Sequence, residues 1–230
     1  VFEIGPVYRA EKHATSRHIN EYIGLDFEMG YIDSMYDVMA METAMLKYVM
    51  DYIRENYANE IEILEAEVPV INEIPCVTLL EAKEILGNKG SGNKLDLEPE
   101  DEVSICEYAK EEFDSDFIFV THFPSSKPPF YAMDSKEDPR LAYKFDLLFR
   151  GLEITSGGQR IHDYDEQVAK MKAQGLNPDD FKYYLEAHKY GLPPHGGLGI
   201  GLERLVMKII NAQNIRTCSM FPRDINRLLP

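Results

Sequence analysis

Apolar runs long enough to cross a bilayer are missing from this chain; none approaches the ~20 residues that a spanning helix needs. No signal peptide opens it. Cysteine is scarce. Cys76, Cys106 and Cys218 are scattered and form no C-x-x-C pair, which argues against a disulfide framework or a zinc site and fits a reducing cytoplasm. Basic residues are also short, 24 against 40 acidic ones, for a net charge of −16. A surface-wide grip on nucleic acid draws its affinity from Lys and Arg on phosphates, so any RNA contact must be local or helped by a basic part outside this sequence. Internal repeats and low-complexity tracts are absent as well. What is present is an ordinary globular balance, 44% hydrophobic and 28% charged, over 230 residues, enough for one sizeable core or two small ones. The chain opens on Val1-Phe2 without Met, already in a strand-like stretch, so an N-terminal region beyond it is expected.

Residues Val1–Tyr8 read as a strand, a charged stretch covers Glu11 to Arg17, and Tyr22–Tyr31 reads as a returning strand. Together they predict an antiparallel hairpin with a long loop. Ser34 and Asp37 form a capping pair before a helix to about Tyr57, with Met35, Val38, Met39, Met45, Val49 and Ile53 at helical spacing. Leu79–Leu86 reads as a helix stopped by Gly87, and Gly87–Asn93 as a mobile glycine-rich loop. A helix over Glu100–Phe113 and strands at Phe117–Thr121, Phe130–Met133 and Tyr143–Phe149 follow. Helices near Asp165–Gln174 and Pro178–Tyr190 precede a Pro/Gly turn at Leu192–Gly197, then strand and helix from Leu198 to Ile210. Helices inserted between strands without regular alternation indicate an α+β fold around an antiparallel sheet.

Several residues could carry chemistry. Arg9 and Glu11, two apart at a strand end, share a face. An Arg offers a planar fork for phosphate and a Glu can accept from an amino group, though such a pair is more often a solvated ion pair. Arg17 and His18 could approach a polyphosphate and Tyr22 could stack on a base, or Tyr22 could simply pack on the sheet. Asp146, Glu153 and Ser156 offer hard oxygen donors suited to magnesium with nucleotide phosphates, or are unrelated surface groups. Beyond Gly157-Gly158, Arg160 could pair with a small carboxylate; Asp26 and Glu28 could receive an ammonium group or form an exposed acidic face. Gly199-Ile200-Gly201-Leu202-Glu203-Arg204-Leu205 is a glycine-rich strand end entering a helix, and it fits neither a P-loop nor a dinucleotide fingerprint.

The order of these pieces carries a resemblance. Val7-Tyr8-Arg9-Ala10-Glu11, Arg17-His18 and Glu21–Glu28 closely resemble motif 2 of class II aminoacyl-tRNA synthetases, and Gly199–Leu205 resembles motif 3. Between them, Phe145-Asp146-Leu147 and Gly151–His162 resemble the signature of the aspartyl branch, as does the tail Phe221-Pro222-Arg223-Asp224, Arg227-Leu228 and Pro230. About 115 residues separate motif 2 from Phe145, too few for the extra domain of bacterial-type aspartyl enzymes. The likeness is therefore to the archaeal and eukaryotic type.

The resemblance implies a class II antiparallel sheet flanked by helices, filling residues 1–230 as one catalytic domain. It implies ATP, Mg2+, aspartate and tRNA as ligands. Arg9 would hold the α-phosphate, Glu11 and Tyr22 the adenine, and His18 and Arg204 the outer phosphates. Asp146, Glu153 and Ser156 would hold magnesium, with Glu153 also at the ATP site. Arg160 would read the aspartate side chain and Asp26 its amino group, while His13 to Thr15 would approach the tRNA acceptor end. In that family motif 1 builds the homodimer. Motif 1 and the anticodon-binding domain would lie before Val1, so this chain alone is expected to be poorly active. The rival readings are an asparaginyl enzyme, a paralogue adenylating aspartate for another acceptor, and a non-catalytic module that keeps the fold.

Overall fold

The structure is a computed structural model and describes residues 1–229; Pro230, the end of the tail motif, lies outside the described residues. The strands are β1 (Phe2–Tyr8), β2 (Glu21–Gly30), β3 (Cys76–Thr78), β4 (Phe117–Thr121), β5 (Lys144–Phe149), β6 (Leu152–Gln159) and β7 (His195–Gly201). The helices are α1 (Met35–Asn56), α2 (Ala58–Leu64), α3 (Leu79–Leu86), α4 (Pro99–Phe113), α5 (Tyr164–Ala173), α6 (Lys182–Lys189) and α7 (Leu202–Ile209). The strands form one sheet in the order β1-β2-β7-β6-β5-β4-β3, antiparallel at every seam except β3–β4. This is the expected α+β architecture.

Period-two alternation assigns the strand residues to two faces. On one, Phe117, Phe119, Phe145, Leu147, Phe149, Leu198 and Ile200 bury against Met35, Val38, Met39, Leu46 and Met50 of α1. Phe117 and Phe149 stack there with centroids 4.2 Å apart. Burying side chains of this size stabilises the fold by about 1.5–3 kcal/mol each. On the other face, Ile118, Val120 and Leu148 are covered by Leu79, Ala82 and Leu86 of α3 and Ile105, Cys106 and Ala109 of α4. Those two helices cover the half of the face built by β4 and β5. The remaining half, on β2, β6 and β7, floors two adjoining cavities.

Local chemistry explains the boundaries. Ser34 and Asp37 make the expected capping box on α1, and Thr78 with Glu81 makes another on α3. Arg150 and Gly151 turn β5 into β6 with φ of 46° and 80°, the two positive values of a tight hairpin loop. In that hairpin Leu147 pairs with Thr155 but Leu148 pairs with Glu153, so Ile154 is an extra, bulged residue.

Four readings need correction. Phe130–Met133 is not a strand. It follows Pro128-Pro129, which lack the N–H groups a ladder needs, and only Ala132 bridges, to Arg160. Phe130 instead packs against Phe181 and Tyr184. The stretch Pro178–Tyr190 divides into a short 3-10 turn, Pro178–Phe181, and α6. Strands β3 and β6 and helix α2 are elements that the sequence pattern does not announce. The glycine-rich loop after α3 is tied down, because Asp101 of α4 accepts from Ser91 N at 2.8 Å and Ser91 Oγ at 2.6 Å.

Candidate active site

Two cavities meet on the open half of the sheet and share Arg9, Tyr22, Glu153, Ser156, Gly199 and Gly201. The first is also lined by Glu11, Arg17, His18, Glu203 and Arg204. The second, of about 470 Å³, adds Asp26, Tyr131, Lys144 and Arg160. The fold thus brings together residues as distant in sequence as Arg9 and Arg204, 195 positions apart. The bulge is essential to this convergence. Glu153 and Ser156 are three apart and would face opposite ways in a regular strand, but the extra residue Ile154 returns both to the open face.

In the first cavity the Arg9 guanidinium lies 5.8 Å from the centre of the Tyr22 ring, a cation–π arrangement that leaves its donors free. His18 Nδ1 is 2.6 Å from Thr15 Oγ1. Burial, and then the neighbouring Arg204 charge, lower the His18 pKa. Arg204 Nη1 donates to the Glu153 carbonyl at 2.8 Å. Arg17 is ion-paired with Glu102 of α4, and the same Glu102 oxygen accepts from Glu153 N at 2.9 Å. Both Glu203 oxygens accept from Ile23 N, at 3.1 and 3.0 Å, and pin α7 to β2.

In the second cavity Arg160 presents a planar fork, but part of it is engaged. Its Nε and Nη2 donate to the two Glu28 oxygens at 3.1 and 3.3 Å, and its guanidinium lies 5.2 Å from the centre of the Tyr131 ring. Of the two carboxylates offered for an ammonium group, Glu28 is therefore partnered with Arg160. Asp26 remains, its pKa raised by burial and then by the charge of Glu3. A side chain at Gly197 would start 2.1 Å from Glu28 Oε2 and 2.2 Å from the Phe27 carbonyl, so glycine is what allows β7 to pass beside this pair.

The proposed metal set comes out altered. Asp146 pairs across the ladder with Ser156, yet it is buried, lines neither cavity and is ion-paired with Lys144 two residues earlier on the same face. Its other oxygen, Oδ1, is buried with no hydrogen-bond partner. The Glu153 pKa is raised by burial and by the nearby Asp146 charge. Among the described residues no group of three His, Cys, Asp or Glu side chains converges as a metal centre. Two crowded carboxylates, an orphaned oxygen and the Ser156 hydroxyl do fit a hard cation, provided further oxygens come from a ligand such as a phosphate chain.

His13 and Thr15 line neither cavity. Thr15 is exposed, but its hydroxyl is engaged by His18 and by Arg17 N at 3.3 Å, and its carbonyl accepts from Arg216 at 2.8 Å. The sequence alone does not single out Lys144 or Tyr131, which line the second cavity, or Glu102, which reaches Glu153. Lys144 could have been found from its place two residues before Asp146 on the same strand. Glu102 offers no such signal, since it reaches the site from a distant helix.

The comparisons with known proteins agree on one family. The family model described as tRNA synthetases class II (D, K and N) matches residues 1–225. An aspartate–tRNA(Asp/Asn) ligase of Thermus thermophilus is 47% identical over 232 residues, covering 100% of this chain and 54% of that protein. An aspartate–tRNA(Asp) ligase of Pyrococcus abyssi is 43% identical, covering 100% and 53%. The chain thus spans about half the length of the curated relatives it matches. Among solved structures, an aspartyl-tRNA synthetase from Entamoeba histolytica superposes with a TM-score of 0.95 at 34% identity, over 100% of this chain and 48% of that one. An asparaginyl-tRNA synthetase from Pyrococcus horikoshii, complexed with asparaginyl-adenylate, superposes at 0.90 and 32%, over 100% and 53%.

Proposed function

The chain belongs to the class II tRNA synthetases of the D, K and N type, and from that premise we propose that it is the catalytic part of an aspartate–tRNA ligase. The observation that carries the reading is the pair of joined cavities, one lined by Arg9, Glu11, His18, Tyr22 and Arg204, the other by Asp26 and Arg160. The first takes ATP and the second takes aspartate. Identity of 41–47% to aspartate–tRNA ligases, over the whole of this chain and about half of each relative, supports aspartate.

In this reading Tyr22 stacks on adenine and Glu11 accepts from its amino group. Arg9 neutralises the α-phosphate while the aspartate carboxylate attacks phosphorus and pyrophosphate leaves, with His18 and Arg204 on the outer phosphates. Asp26 holds the ammonium group of the substrate and the Arg160 fork, steadied by Glu28, holds its side-chain carboxylate. Asp146, Glu153 and Ser156 would hold Mg2+, which when bound withdraws negative charge from the phosphates. A terminal ribose hydroxyl of tRNA then attacks the carbonyl of the mixed anhydride, forming the ester as AMP departs. His13 and Thr15 belong to the loop at the acceptor end. A homodimer, a cytoplasmic setting and a catalytic domain filling residues 1–230 are part of the same reading.

ATP–pyrophosphate exchange by the full-length protein tests it. Exchange should depend on aspartate, and Arg160→Ala should lose it by about 100-fold, since charge-assisted hydrogen bonds contribute about 1.5–3 kcal/mol each, with ATP binding retained. The likeness to asparaginyl enzymes makes asparagine the informative control; exchange driven only by asparagine would assign the second cavity to the amide. The isolated chain should exchange poorly.

A further inference from the structure

Glu102 has no part in the chemistry proposed above, yet it is 6% exposed and touches two components of the first cavity. It rises from α4, whose Ile105, Cys106 and Ala109 are seated in the core, so its carboxylate stands on a rigid support. One oxygen, Oε2, is ion-paired with Arg17 of the loop between β1 and β2 and accepts from Glu153 N at 2.9 Å. The carbonyl of that same residue, Glu153, accepts from Arg204 Nη1 at 2.8 Å. The residue next to the bulge is therefore gripped from both sides, by α4 through its N–H and by α7 through its C=O. Arg17 keeps its Nε buried with no hydrogen-bond partner, so the ion pair with Glu102 is what orients its guanidinium. Core packing of Ile154 against Leu205 and Ile209 already joins β6 to α7; what Glu102 adds is a polar link from that junction to the Arg17 guanidinium.

We propose that Glu102 is a positioning residue for the phosphate end of the first cavity. Its one carboxylate oxygen orients Arg17 and, through Glu153, the seat of Arg204, so that cationic groups meet the outer phosphates preorganised. The inference rests on the reading of that cavity as an ATP site. In metal sites, groups that only orient the ligands change affinity by about 10- to 100-fold when removed, and a comparable scale applies to an oriented phosphate-binding cation.

Calorimetric titration of this chain with ATP and Mg2+, and separately with adenosine, tests the assignment. Glu102→Gln keeps the size of the side chain but removes its charge; it should weaken ATP by about tenfold and leave adenosine within about twofold. Arg17→Gln should show the same selective loss, and the double variant Glu102→Gln/Arg17→Gln should lose little more than either alone. A Glu102 that served only as a tie between α4 and the sheet would lower both affinities together, and equal losses for ATP and adenosine would overturn the proposal. So would unchanged ATP affinity in Glu102→Gln, or additive losses in the double variant. If the wild-type chain binds adenosine but gains nothing from the phosphates, the inference falls while the cavity remains a nucleoside site. If it binds neither ligand, the reading of the cavity falls with it.

Discussion

At the scale of single residues, the most telling group outside the site is Glu42. It sits on α1 with no exposed surface, and neither carboxylate oxygen has a hydrogen-bond partner. Burial pushes its pKa up from 4.5 to about 8; the nearby Thr155 hydroxyl opposes this and the Asp146 charge adds to it. Between those two values the folded chain keeps a proton that the unfolded chain has released, so folding takes up a proton and stability falls as pH rises from about 4.5 to about 8. Glu42→Gln removes the ionisation while keeping the shape. It should flatten that pH dependence and stabilise the fold at pH 8 by on the order of a few kcal/mol. Thermal melts from pH 5 to pH 8.5 read the effect, and parallel curves for the two proteins would refute it. Glu42 also marks what sequence hides. That Arg9, Glu11, Asp26, Arg160 and Arg204 belong together could be read from the order of their motifs, each weak alone, and the fold does line its two cavities with them. Glu102, Glu42 and the Arg160–Glu28 pair could not be read so, because each depends on contacts made across 50 residues or more by the folded sheet.

Among the elements, the N-terminus of α4 shows how a small set of contacts orders a loop. Asp101 is buried and accepts from Lys83 Nζ at 2.7 Å, from Ser91 N and Oγ at 2.8 and 2.6 Å, and from Glu98 N at 3.1 Å. Burial alone would raise its pKa, but the Lys83 ammonium and these donors outweigh it and hold the carboxyl down at about 2. A depressed pKa contributes stability that is present above 3.8 and lost as pH falls through about 2. Asp101→Asn should therefore lose roughly 2 kcal/mol at pH 7 and lack that acid-induced decline. Hydrogen exchange of the Ser91 amide should rise with it, and a Ser91 amide as protected as in wild type would count against the tie. The sequence reads this loop as mobile because glycines announce freedom, whereas the acid that removes it lies ten positions further on. Strand β6 escaped notice for a related reason. Its Glu153, Ser156 and paired glycines break the alternation that marks a strand, and the bulge at Ile154 shifts what remains out of phase. By contrast the span and capping box of α1 are legible almost to the residue, although its buried face runs on through Leu46 and Met50 and leaves Met45, Val49 and Ile53 half-buried.

For the whole molecule, a net charge of −16 and a bare sheet edge pull in opposite directions. The order of the sheet leaves β1 at one end, and among the described residues no strand pairs its outer edge. Helix α1 packs over the middle of the sheet, so the even-numbered residues of β1 are uncovered: Phe2 is 80% exposed, Ile4 65% and Tyr8 67%. Pro6 removes one N–H from this outer edge, so the open part of the strand lies toward Phe2 and Ile4. Apolar residues with unpaired backbone groups there are a template for edge-to-edge pairing, while like charge holds copies apart at long range. Raising the salt from 0.1 to 1 M shortens the screening length from about 10 to about 3 Å, which removes the repulsion and leaves the edge attraction intact. Sedimentation velocity should then show self-association of this chain that grows with salt. Ile4→Lys takes apolar area from the edge and places there an ammonium that pairing would have to desolvate, a cost that salt does not screen away. It spares the β1–β2 pairing because Ile4 points to solvent while its backbone pairs with Leu25. That variant should remain monomeric at the same concentration and salt, with an unchanged melting temperature. Equal association of both proteins would move the contact elsewhere on the surface, and a wild-type chain that stays monomeric in 1 M salt would show the edge to be inert.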